Sequence, residues 1–85
     1  MYSVALTEVA EKQLKKLPKP IQERIVTSLE RIRILPEAFV EKLVGISGYK
    51  LRVGDYRIIL DLEHNKLLVL VIKVGHRKNG YSKGN

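Results

Sequence analysis

The chain has 85 residues, 45% of them hydrophobic, and 16 basic against 9 acidic side chains give it a formal net charge of +7. That length predicts one domain over residues 1–85 with a modest core, and the apolar content excludes a disordered chain. No cysteine is present, which excludes disulfides and thiolate metal sites, and no apolar run approaches the roughly 20 residues of a membrane-crossing helix. The start, Met1 to Leu6, has neither a basic leader nor a long apolar stretch, and Glu8 and Glu11 follow at once. The expectation is therefore a cytoplasmic protein with no membrane partner. The positive charge is uneven: eight basic residues stand against three acidic ones from Tyr49 onward, and eight against six before it. A basic second half suits a nucleic acid or an acidic protein surface.

In chain order, Tyr2 to Leu6 reads as a short strand. Thr7 is a good N-cap for a helix from Glu8 to about Leu17, with Glu8 and Glu11 at its positive end. Pro20 suits the first position of a second helix, and Ile21, Ile25, Leu29 and Ile32 form one apolar stripe along it. Pro36 should stop that helix near Leu35. Residues 36–48 read as a connection whose Leu43 and Ile46 dock on the core. Three strands follow, Tyr49–Val53, Asp55–Leu62 and Leu67–Val74, the last two joined by a polar turn from Glu63 to Lys66. The third is apolar on both faces, which marks it as the central strand. The sum is an α+β fold: an N-terminal strand, a two-helix hairpin packed on a mainly antiparallel sheet, and a C-terminal three-strand meander.

Gly54-Asp55 between Val53 and Tyr56 fits a two-residue type II′ hairpin. The residues flanking such a turn pair directly, so Arg52 faces Arg57, and strand alternation puts Lys50 on the same face. Like charges directly opposite each other destabilise a sheet. Three convergent cations therefore suggest a polyanion site, against the plainer alternative of a charged face that discourages edge pairing. Gly75-His76-Arg77, with Tyr81 beyond, could add a phosphate-binding cation and a base-stacking ring. His76 is a candidate for proton transfer. His64 reads as surface, and Glu41 and Asp61 as isolated carboxylates. Lys12, Lys15, Lys16 and Lys19 surround the end of the first helix, where the helix dipole favours cations. Lys15 and Lys16, together with Lys78, could also touch a nucleic-acid backbone. Nothing in the spacing of histidines and carboxylates makes a metal site, and there is no phosphate-binding glycine loop.

Taken together, Lys16-Leu17, Ile34-Leu35-Pro36, Leu43-Val44-Gly45, the block from Tyr49 to Ile59, and Val74 to Arg77 with Tyr81 resemble the RelE/ParE toxin superfamily across nearly the whole chain. The resemblance implies a RelE-like fold and the toxin of a prokaryotic type II toxin–antitoxin pair. RelE-type members cut mRNA in the ribosomal A site by attack of a 2′-hydroxyl on the adjacent phosphate, without metal or other cofactor. ParE-type members inhibit DNA gyrase by protein contact. The implied partners are a RelB-like antitoxin, the ribosome and mRNA, with operator DNA as a ligand of the toxin–antitoxin complex.

By the same resemblance, Lys50 and Arg52 match the basic pair of the second strand, where the second residue is often lysine. Arg57 matches the arginine of the Tyr-Arg block, Arg77 the arginine after the last strand, and Tyr81 the tyrosine behind it. Arg57 and Arg77 would stabilise the charged transition state. Lys50, crowded by arginines, would serve as base toward the 2′-hydroxyl. Arg52 would bind phosphate or help protonate the leaving oxygen, sharing proton transfer with His76, and Tyr81 would stack on, or orient, the attacked nucleotide.

Overall fold

Thr7 joins the first strand to the first helix through three bonds. In the computed structural model, which describes residues 1–76, strand β1 runs Ser3–Leu6 and helix α1 runs Glu8–Lys15. The Thr7 hydroxyl accepts from the Ala10 backbone N–H at 3.1 Å and donates to the carbonyl of Ile72 at 2.9 Å. Its own N–H donates to the carbonyl of Val71 at 2.9 Å. One residue thus caps α1 and ties it to the last strand. Thr7→Ala is expected to lower stability by about 1–2 kcal/mol, read as a shift of the urea midpoint at unchanged slope.

Helix α2 spans Lys19–Arg31, with Pro20 in its first turn and Ile25 and Leu29 buried. Gln22 donates to the carbonyl of Leu17 at 2.7 Å and so closes the turn between the helices. The helix ends four residues earlier than Pro36 suggested, for a tertiary reason. The Arg33 carbonyl accepts from the Tyr2 N–H at 2.8 Å, and Arg33 Nε donates to the Tyr2 carbonyl at 2.9 Å. Residue 33 must leave the helix to pair with the chain start. Pro36 then opens a short 3-10 turn, Pro36–Ala38.

The remaining elements are β2 (Glu41–Lys42), β3 (Tyr49–Val53), β4 (Tyr56–Glu63), a 3-10 turn (His64–Lys66) and β5 (Leu68–His76). They form one five-stranded sheet in the order β1-β5-β4-β3-β2, with β1 parallel to β5 and every other pairing antiparallel. The centre of that order is β4, not β5 as its apolar faces suggested. Both are interior strands, and the outer face of β5 carries Leu68 and Leu70, which accounts for its continuous hydrophobicity. Strand β2 is absent from the sequence reading because two residues carry no alternation to detect.

Both helices cover one face of the sheet. The core joins Ala10, Ile25, Leu29 and Ile32 to Leu51, Val53, Ile58, Leu60, Leu62, Val69, Val71 and Val74. Leu43 and Ile46 do not dock there. Ile46 is 69% exposed, and both side chains border a cleft on the opposite face of the sheet.

A register shift between Ile59 and Leu60 sets the last feature that matters for function. Ile59 faces Lys73 whereas Leu60 faces Val71, so Ile72 is an extra residue in β5. This bulge resets the alternation. Val69 and Val71 point to the core before it and Val74 after it, while Ile72 and Lys73 both border the outer cleft. The Val74 N–H donates to Gln13 Oε1 of α1 at 2.7 Å, which anchors the strand just past the bulge.

Candidate functional site

The Gly54-Asp55 turn is formed as expected. Gly54 has φ +58°, and Val53 pairs with Tyr56 and Arg52 with Arg57. Pairs alternate along a hairpin, and the pair next to the turn is hydrogen-bonded. Arg52 and Arg57 therefore occupy a non-hydrogen-bonded pair, where Cα atoms approach to about 4.5 Å. Glycine suits position 54 because its backbone is left-handed, a conformation strained for any other residue, and the tip of Arg24 lies 3.1 Å from where a Cβ would stand. Gly54→Ala is expected to destabilise by about 1–3 kcal/mol, measured by thermal unfolding.

Lys50, Arg52 and Arg57 share the sheet face that the helices leave open. Lys50 lies opposite Glu41 of β2, and its ammonium stands 3.4 Å from Glu41 Oε1. The lysine side chain is 23% exposed and the glutamate 70%. The carboxylate that looked isolated in sequence is thus a counter-charge inside the patch, supplied by the strand that the sequence hid. Arg57 is half-buried on the central strand, between Arg52 on one side and Gly75 on the other.

Next to these cations lies a cleft of about 420 Å³ bordered by Leu43, Ile46, Lys50, Arg57, Ile59, Ile72 and Lys73. Its lining combines four apolar side chains with three cations, a combination that suits a flat apolar ring attached to an anionic group. Lys73 enters the patch only through the bulge, and nothing local in the sequence announces it. Asp61 and Glu63 lie on the same outer face further along β4, opposite Leu70 and Leu68. The open face is therefore positive toward the hairpin and negative toward the other end.

Other candidates fall elsewhere. His76 pairs across from Tyr56, with ring centroids 5.0 Å apart and nearly perpendicular planes at 83°. Tyr56 and its partner Val53 face the helix side, so the imidazole turns away from Arg57. Lys15 is paired with Glu11 at 3.6 Å and borders a groove beside β1, at the sheet edge remote from β3. Lys16 follows it at the C-cap of α1. Neither lysine joins the patch. Arg77, Lys78 and Tyr81 lie outside the described residues. His64 is part of a small surface network, with Tyr2 Oη at 2.8 Å and Glu37 at 3.4 Å.

Comparison with known proteins finds relatives of this fold. The family described as ParE toxin of type II toxin–antitoxin system, parDE, matches residues 4–81. An Escherichia coli protein described as RelE-like toxin is 31% identical over 80 residues, covering 91% of this chain and 84% of that protein. Among solved structures, the toxin–antitoxin complex RelBE2 of Mycobacterium tuberculosis contains a chain that superposes with TM-score 0.81 at 26% identity, covering 89% of this chain and 98% of that one. The isolated E. coli RelE toxin superposes with TM-score 0.80 at 28% identity, covering 99% of this chain and 95% of that one. On the strength of the family match and the shared fold, this chain is a member of the RelE/ParE family of toxins from type II toxin–antitoxin systems.

Proposed function

We propose that the protein is a metal-independent endoribonuclease that cleaves mRNA in the ribosomal A site and thereby halts translation. The observation that carries the reading is the convergence of Lys50, Arg52 and Arg57 on the one sheet face that no described element covers, beside an apolar cleft. A protein that acts only by binding a topoisomerase has no need to hold opposed arginines together at a cost to the sheet.

In this scheme the nucleotide 5′ to the cut lies along the outer face, with its base over the cleft. Lys50, once it has released its ammonium proton to solvent and left the ion pair with Glu41, takes the proton from the 2′-hydroxyl as a free amine, and the 2′-oxygen forms the new bond to phosphorus. The bond from phosphorus to the 5′-oxygen breaks. That oxygen takes a proton from solvent while Arg52 offsets its charge, and the products are a 2′,3′-cyclic phosphate and a 5′-hydroxyl. Arg57 presents its planar fork to the non-bridging oxygens as charge builds on them. Arg77 would add a second guanidinium and Tyr81 a stacking ring. The orientation of His76 toward Tyr56 argues for leaving proton transfer to Lys50 and its neighbours.

An antitoxin partner accompanies this reading. Solved relatives are toxin–antitoxin complexes of RelE with RelB. An acidic, RelB-like chain would complement the positive face, and the complex would be the operator-binding species.

The test is a ribosome-containing translation reaction programmed with a defined mRNA, in which new 5′ ends are mapped and their termini identified. Cuts within A-site codons ending in cyclic phosphate are expected. The family match to ParE makes gyrase inhibition the second reading. Intact mRNA together with loss of supercoiling in a parallel gyrase assay would establish that reading instead.

A further inference from the structure

The patch does not end at the hairpin. Arg57 borders both the apolar cleft and a small cavity of about 100 Å³ at the turn, which Arg52 also lines. Arg52 in turn borders a third hollow, an open groove of about 610 Å³ between α2 and the end of β3. The far wall of that groove is α2, which presents Arg24, Thr27, Ser28 and Arg31. The arginines recur at a seven-residue interval, two helical turns on one side of the helix. Arg24 lies over the Gly54 turn, with Nη2 at 3.1 Å from where a Cβ would stand, so it bridges the hairpin and the helix. Arg24, Arg31 and Arg52 are exposed, and none has a carboxylate within 4.0 Å among the described residues. Glu23 is the one acidic residue on the groove among the described residues.

We infer that RNA runs beyond the cleavage patch, its phosphate backbone following Arg52 around the hairpin tip onto Arg24 and Arg31 of α2. The inference rests on the nuclease reading, whose patch supplies the first half of the track. Guanidinium forks with hydroxyls between them are the side chains that hold phosphates without reading bases. The groove is poor in apolar anchors, which an acidic protein segment would need in order to dock stably. Arg57 borders the first two hollows, and Arg52 and Gly54 border the second and third, so the three adjoin one another around the hairpin. Two sources of backbone fit the same chemistry, the mRNA strand that is cut and the ribosomal RNA around it.

Salt titration tests the track. Each phosphate contact to a single strand contributes about 0.7 to the slope of log affinity against log salt, or about fivefold in affinity at 0.1 M salt. The full chain and its Arg24→Ala and Arg31→Ala variants would be titrated with a 2′-O-methyl oligoribonucleotide of about 12 nucleotides, which cannot be cut, and separately with ribosomes free of mRNA. Each substitution is expected to weaken binding about fivefold at 0.1 M salt, to lower the slope by about 0.7, and to do so equally across RNA sequences. A loss with the oligonucleotide assigns the groove to the mRNA strand, and a loss with ribosomes assigns it to ribosomal RNA. Wild-type affinity and slope for both variants in both titrations would overturn the track. If in that case the wild-type chain still cuts mRNA and Arg57→Ala does not, the nuclease reading survives without it. If the wild-type chain neither cuts mRNA nor binds either RNA, both fall together. An acidic antitoxin peptide that needs Arg24 and Arg31 where RNA does not would replace the track with a protein interface.

Discussion

Arg57→Ala is expected to lower mRNA cleavage by about 10²–10³-fold, the typical loss when one preorganised charge-stabilising donor is removed from a site of anionic transition states. The position of the residue sets the size of the effect. Arg57 is on the central strand, half-buried, with Arg52 across one ladder and the bare Gly75 across the other. Its backbone is held by a ladder on each side before substrate arrives, so the sheet sets where the guanidinium starts. Alanine keeps the strand backbone and touches nothing in the apolar core, because the side chain points to the outer face. Arg57→Lys should fall between wild type and alanine, since it keeps the charge and loses the planar fork. Mapping of mRNA 5′ ends under single-turnover conditions measures the rates, and circular dichroism checks the fold. Cleavage by Arg57→Ala at the wild-type rate would remove this residue from the chemistry.

The next residue along the chain should behave in the opposite way. Ile58→Ala is expected to cost about 2–5 kcal/mol of stability. Ile58 is fully buried on the helix side of β4, in one core cluster with Ile25, Leu29, Leu51 and Val74. Truncation removes three methylene-sized groups and leaves a cavity in the middle of a close-packed layer. A small domain has only about 5–15 kcal/mol in total, so the variant should unfold at a much lower urea midpoint or temperature. Its specific cleavage, measured below that transition, should stay near wild type, because no cation of the outer face moves. Equal stability in Ile58→Ala and wild type would mean that β4 is not packed as described. Adjacent positions with separate phenotypes, one catalytic and one structural, are the direct consequence of the two-residue alternation of a strand.

That alternation is also why so much of the site was legible beforehand. Arg52 opposite Arg57, and Lys50 beside them, follow from a two-residue turn and a period of two, both of which are local. The N-cap at Thr7, the two-helix hairpin and the open antiparallel meander are of the same kind. Misplaced features share a different property. Helix α2 ends at Arg31 because residue 33 is needed by Tyr2, 31 residues earlier in the chain. Ile46 lies on a cleft rather than in the core because β2 pairs at the sheet edge and carries the following loop to the outer face.

Fold class, family and the heart of the cationic patch can be read along the chain, since each rests on nearby residues or on a motif. The surroundings of that patch depend on contacts between distant segments. Pairing with β2 brings Glu41 to 3.4 Å from Lys50. The extra residue in β5 turns Lys73 toward the cleft and sends His76 to the far face with Tyr56. Packing of α2 against the hairpin lays Arg24 over Gly54 and sets Arg31 in the same groove. Each is a meeting of residues far apart in sequence, set by sheet register and layer packing rather than by any local pattern.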